Sequence, residues 1–124
     1  MRKLVIDRTI WYRGQSSIGS RLLIPQDGDD PGKRCCLGIY GKEIGVPDDL
    51  LEDQTCFGNF GRYEDIPEEA HWLVTTVAEF GLTNSGDAQE LMMINDEETM
   101  DEDDRELAIT KYFKRHDVEV TFIN

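Results

Sequence analysis

The stretch Lys33-Arg34-Cys35-Cys36-Leu37-Gly38-Ile39-Tyr40-Gly41-Lys42-Glu43-Ile44-Gly45 constrains the fold more than any other. Cys36, Leu37, Tyr40 and Ile44 stand three, four and seven positions apart, the spacing of one buried helix face. Gly38 and Gly41 interrupt that helix, each at a cost of up to about 1 kcal/mol against alanine. Glycines held at that cost point to close approach by another stretch of backbone. Gly45, before Val46-Pro47, is a natural C-terminal stop. Two adjacent cysteines at the start of such a helix also pose the first question about chemistry.

The rest of the chain is read outward from this helix. Arg2 to Asp7 is a short strand, β-branched at its centre. Asp7 caps a turn that Gly14 ends, with Ile10 and Trp11 as core contacts. Gln15 to Ser20 is loop by composition. Arg21 to Ile24 is extended and stopped by Pro25. Pro47 opens one or two helical turns over Asp48 to Glu52. Pro67 and the acids Glu68 and Glu69 open another helix, which runs to Phe80 or turns extended near Val74. Asn84 or Ser85 caps a helix over Asp87 to Ile94, with Ala88, Leu91 and Met92 inward. Thr99 and Glu102 match a capping box. The helix behind them has acids at its start and Lys111, Lys114 and Arg115 at its end, and places Leu107, Ile109, Tyr112 and Phe113 inward. Val118 to Ile123 alternates as a half-buried strand, best placed beside the first strand.

These elements define an α+β fold. Residues 1–124 are expected to form a single globular domain. A small sheet includes the N- and C-terminal strands and also 21–24, and three to five helices pack on it. A chain of this length buries a core without metals or disulfides. No apolar run reaches the roughly 18 residues of a membrane helix, and the N-terminus lacks the apolar stretch of a signal peptide. Three cysteines, two of them adjacent, read as reduced thiols in a cytoplasm.

The net charge of −13 is unevenly spread. Residues 1–42 carry eight Lys/Arg against four Asp/Glu, and residues 43–124 carry five against 22. Such an acidic surface repels nucleic acid and membrane and steers toward basic partners. Its densest part holds Asp96, Glu97, Glu98, Asp101, Glu102, Asp103, Asp104 and Glu106, the candidate binding residues. A solvated, helix-capping face is the plain account of these acids; a recognition face for a basic protein is the functional one. The basic residues Arg8, Arg13, Arg21, Lys33 and Arg34, beside Trp11 and Tyr12, have the makings of a phosphate-binding patch. The total charge argues against nucleic acid, and pairing with the acidic half is the plainer reading.

Two chemical constellations stand in the sequence. A thiol at a helix N-terminus near Lys33 and Arg34 is expected to have a lowered pKa. A thiol-dependent, hydrolase-like enzyme would then use Cys36 with His71 or His116, the only histidines, as base. The plain account of Cys35 and Cys36 is that they are small buried hydrophobes. Cys35, Cys36, Cys56 and His71 offer four metal ligands on paper, but adjacent cysteines lack the spacing of a zinc knuckle. The acidic run lacks the glycine and alternation of a calcium loop. No metal and no cofactor is expected.

The pattern Lys3-Leu4-Val5-Ile6-Asp7-Arg8, Trp11, Arg13-Gly14, Leu22-Leu23, Cys35-Cys36-Leu37-Gly38, Ile94-Asn95-Asp96 and Val118-Glu119-Val120 resembles a set of small proteins encoded by bacteriophages and prophages. The resemblance spans most of the chain and brings no catalytic residues with it. It implies a phage or prophage gene acting in a bacterial cytoplasm. By analogy with small phage proteins, it implies binding to a host or phage protein. The resulting expectation is a non-enzymatic binding protein, with the acidic C-terminal half as candidate face and the Cys36 enzyme as alternative.

Overall fold

Strand β1 (Arg2–Asp7) and strand β4 (Val118–Ile123) pair in parallel, with Leu4 opposite Val120 and Ile6 opposite Phe122. A parallel pair needs a crossover, and here nearly the whole chain supplies it. Alternation decides the faces. Leu4, Ile6 and Val118 are buried, whereas Lys3, Val5, Glu119, Thr121 and Ile123 face outward. The computed structural model describes residues 1–15, 21–28, 30–52, 54–60, 62–77 and 81–124. The expected loop at 16–20 and the expected helix end at Phe80 lie outside the described residues.

The helix expected around the cysteines is α1 (Cys36–Glu43). A methyl group at Gly38 would overlap the carbonyl of Leu22, so the 21–24 segment lies directly against the helix. Gly45, at φ +94°, turns the chain out of α1. The short α2 (Asp48–Leu51) follows, with Pro47 as its cap rather than its first helical residue. The 21–24 segment does not join the terminal sheet. Leu23 makes an isolated parallel bridge to Glu52, and Leu22 N donates to the carbonyl of Gln54 at 2.7 Å.

Three 3-10 turns, Phe57–Phe60, Tyr63–Asp65 and Glu68–Leu73, lead to β2 (Val74–Val77). The turn extended at Val74 is therefore the observed alternative. β2 pairs antiparallel with β3 (Gly81–Asn84), a strand the sequence pattern did not reveal. Ser85 caps α3 (Gly86–Asp96), its hydroxyl accepting from Ala88 N at 3.1 Å.

The last helix, α4 (Glu102–Lys114), is capped by Asp101, not Thr99; the Asp101 carboxylate accepts from Asp103 N. The Thr99 hydroxyl instead donates to Glu97. The inner face of α4 is Arg105, Ile109 and Phe113, at positions four apart. Leu107, expected inward, is 57% exposed. Ile10, expected in the core, is exposed at a turn, while Trp11 is buried. The core joins β1 and β4 to α1, α3 and α4. Its aromatic centre is Tyr40, Phe113 and Trp72, with the Tyr40 and Phe113 rings 5.3 Å apart.

Candidate functional site

Asn95, in the last turn of α3, is completely buried and uses its whole amide. Its Oδ1 accepts from Trp11 Nε1 at 2.8 Å and from Cys36 N at 3.1 Å. Its Nδ2 donates to the carbonyl of Tyr12 at 3.0 Å and to Asp96 Oδ1 at 3.1 Å. Buried amides need such partners, because an unpaired one costs about 1–3 kcal/mol. Trp11, Cys36 and Asn95, drawn from separate sequence motifs, thus meet in one hydrogen-bonded cluster that ties the segment following β1 to α1 and α3.

Arg105 continues the cluster on the far side. Its Nη1 donates to the carbonyls of Ile94 at 2.6 Å and Asn95 at 3.0 Å. Its Nη2 donates to the carbonyls of Glu97 at 2.6 Å and Met100 at 3.4 Å, and its Nε to Glu102 Oε1 at 3.2 Å. A buried cation therefore satisfies the open carbonyls at the C-terminal end of α3, where the helix dipole is negative. It also fixes the path of residues 97–101 into α4. Sequence reasoning missed this residue; the available signal was a lone basic side chain within the acidic run.

The eight candidate carboxylates differ in partners and in exposure. Glu106 takes a bidentate pair from Arg8, at 2.7 and 2.8 Å, and Glu102 takes Arg13 Nε at 2.7 Å as well as Arg105. The Glu106 hydrogen bonds hold the Arg8 guanidinium more firmly protonated than usual. The basic N-terminal residues Arg8 and Arg13 are thus spent inside the molecule, as the plainer reading held. Asp96 is half-buried beside Asn95. Glu97, Glu98, Asp101, Asp103 and Asp104 are exposed. The Thr99 hydroxyl and amide hold the Glu97 carboxyl below the usual carboxylate range.

Beside this acidic rim runs a shallow groove of about 440 Å³ lined by Gln89, Met92, Met93, Asp96 and Glu97. The first four are one helical stripe of α3 at three- and four-residue spacing. Met92 packs partly into the core, whereas Met93 is 65% exposed. On α4, exposed Leu107 follows Asp103 by one turn. Flexible, polarizable methionine suits surfaces that adapt to a partner.

The cysteine constellation looks different. Cys36 has no exposed surface, and burial drives its thiol pKa well above the ordinary value, with Cys35 and Asp96 adding to the effect. That is the reverse of the expected activation: desolvation outweighs the helix terminus. Cys35 and Cys56 are also buried, and none of the three cysteines is in a disulfide. His71 stacks on Tyr63, its Nε2 2.9 Å from the carbonyl of Ile66. His116 stacks on Trp72, its Nε2 2.6 Å from Asp87 Oδ2. Each histidine is thus engaged with groups other than Cys36. No three His, Cys, Asp or Glu side chains among the described residues are grouped to hold a metal ion, so Cys35, Cys36, Cys56 and His71 are not assembled as ligands. No helix among the described residues is long and apolar enough to cross a membrane.

Comparison of the chain with protein-family models, with curated proteins and with solved structures gave no match.

Proposed function

We propose that this chain is a non-enzymatic, phage-type protein of the bacterial cytoplasm that binds a host or phage protein with a basic surface. The binding face is the outer side of α3 and the start of α4. The observation that carries this reading is the exposed Met93 groove directly beside exposed Glu97, with further carboxylates on the following loop and turn. Lys and Arg on the partner meet the rim, which accelerates encounter and sets orientation. Met93 and Leu107 then lose water against the partner's apolar surface, which slows dissociation. The Arg8–Glu106 and Arg13–Glu102 pairs support the reading, because they occupy two basic side chains of the N-terminal half within the molecule.

The test is affinity capture from nuclease-treated bacterial lysate with the tagged protein and its Met93→Ser variant, eluted in rising salt. The expected result is one dominant protein, released by moderate salt and held less well by the variant. Capture indifferent to both salt and Met93→Ser contradicts the reading.

A further inference from the structure

The β1–β4 ladder leaves the far side of β1 unpaired. Arg2 N donates to the carbonyl of Asp117 at 3.1 Å and Arg8 N to that of Ile123 at 2.9 Å, at the two ends of the ladder. Backbone groups alternate sides along a strand, so Arg2, Leu4, Ile6 and Arg8 turn toward β4 and Lys3, Val5 and Asp7 turn away. The amides of these three, and the carbonyls of Lys3 and Val5, have no backbone partner among the described residues. The Asp7 carbonyl instead holds the following turn, accepting from Ile10 and Trp11. Buried backbone groups are paired in the great majority of cases, so an unpaired row marks an edge open to water and a template for another strand.

The side chains along this edge select that strand. Lys3 is exposed and forms no ion pair with a described residue, whereas Arg2, Arg8, Arg13, Lys33 and Arg34 each pair with an acid. Val5 is apolar and 51% exposed. Thr9 donates to Asp7 Oδ1 from its amide at 2.9 Å and from its hydroxyl at 2.7 Å, which holds the Asp7 carboxyl below its usual range and keeps it charged at neutral pH. Lys3-Leu4-Val5-Ile6-Asp7 is therefore its own complement when turned end for end. Antiparallel pairing of two such strands about Val5 sets Lys3 of each copy opposite Asp7 of the other, with Val5 against Val5. Each Val5 amide then donates to the other Val5 carbonyl, and each Asp7 amide to the facing Lys3 carbonyl. An edge lysine by itself discourages pairing, and an aspartate opposite it reverses that effect. The β4 edge offers no such match, because Glu119 is the only charged residue of β4.

We propose that the open edge of β1 is the contact between two copies of this chain, joined antiparallel about Val5 into one continuous sheet with two-fold symmetry. The contact uses residues other than those of the α3–α4 face, and its test needs no other protein. Sedimentation velocity of the purified chain, from micromolar to millimolar concentration, is expected to show monomer giving way to dimer and nothing larger. Lys3→Glu and Asp7→Lys, each first shown to be folded by thermal denaturation, set like charges opposite one another. Each is expected to weaken self-association about tenfold. An equimolar mixture of the two variants sets opposite charges face to face again and is expected to regain the dimer, a rescue that damage to the fold does not allow.

Amide hydrogen exchange reads the same edge in the wild-type chain. The Val5 and Asp7 amides are expected to exchange more slowly as concentration rises, while those of Val120 and Phe122, on the β4 edge, do not change. A chain that stays monomeric, assemblies larger than a dimer, variants that associate as the wild type does, folded variants whose mixture stays monomeric, or protection that appears on the β4 edge instead overturns the proposal.

Discussion

Asn95 stands between two regions that use the same kinds of group in opposite ways. On one side its amide oxygen holds Trp11 and the amide of Cys36, in a region closed to water. On the other its own carbonyl accepts from Arg105, beneath a rim of exposed carboxylates and an exposed methionine. The first region contains the residues that look most reactive in a sequence, two adjacent thiols at a helix start, and the fold buries both away from water. The second contains residues that look like ordinary solvation, and the structure leaves them open beside an apolar groove. The comparison teaches that water access decides which candidate groups can act, ahead of residue type.

The largest effect that tests this comparison is at the shared support. Arg105→Met leaves the carbonyls of Ile94, Asn95, Glu97 and Met100 without their donor. A loss of about 3 kcal/mol or more is expected, read as a fall in Tm of roughly 10 °C by thermal denaturation. Loss of less than about 1 kcal/mol would show that the cluster does not organise the acidic loop.

Intermediate effects belong to the closed region. Cys36→Ala removes one buried sulfur and is expected to cost about 1 kcal/mol in denaturant unfolding. In the native protein at neutral pH, iodoacetamide is expected to leave all three thiols unmodified, and to modify all three once denaturant is added. The pH dependence has a definite sign. The buried Cys36 thiol keeps its proton where the unfolded chain has lost it, so its stabilising contribution is complete below the unfolded value, about 8.5. It fades as pH rises beyond that. Rapid native alkylation of Cys36, or stability that rises above pH 9, contradicts the sealed site.

The smallest effects on stability belong to the open region. Asp103→Asn with Asp104→Asn is expected to change unfolding free energy by about 0.5 kcal/mol or less, because both side chains are exposed. The same pair of changes is expected to weaken partner binding at low salt on the order of tenfold, and less as salt rises. Equal small effects on stability and binding would remove the distinction between the two regions.

Much of the closed region was legible in the sequence. The clean alternation of Val118, Val120 and Phe122 marked a strand with one buried face, and the terminal strands do pair. Gly38 within an apolar helical pattern marked a close approach by some other stretch of backbone, and the structure identifies that stretch as Leu22. The β2–β3 pair was not legible, because Thr75, Thr76 and Val77 are exposed and show no alternation. Thr99 matched a capping box, but its hydroxyl is engaged by Glu97 and Asp101 takes the cap. The rotation of α4 was misread because the sequence pattern treats arginine as a surface residue. Arg105 instead turns inward to reach the end of α3, and Leu107 is carried to the surface. For the candidate site, the acidic residues were evident as a run, but Met93 was not. Its exposure depends on which stripe of α3 faces α4, a tertiary fact that spacing alone does not supply.

The proposal to be tested is that the open face, and not the thiol, holds the partner. The direct test is side-by-side capture of the lysate partner by the wild-type chain, Cys36→Ala, and Asp103→Lys combined with Asp104→Lys, each first shown to be folded. The account predicts that Cys36→Ala retains the partner as the wild type does, while the charge-reversed variant loses it. Retention by the charge-reversed variant together with loss by Cys36→Ala would contradict it.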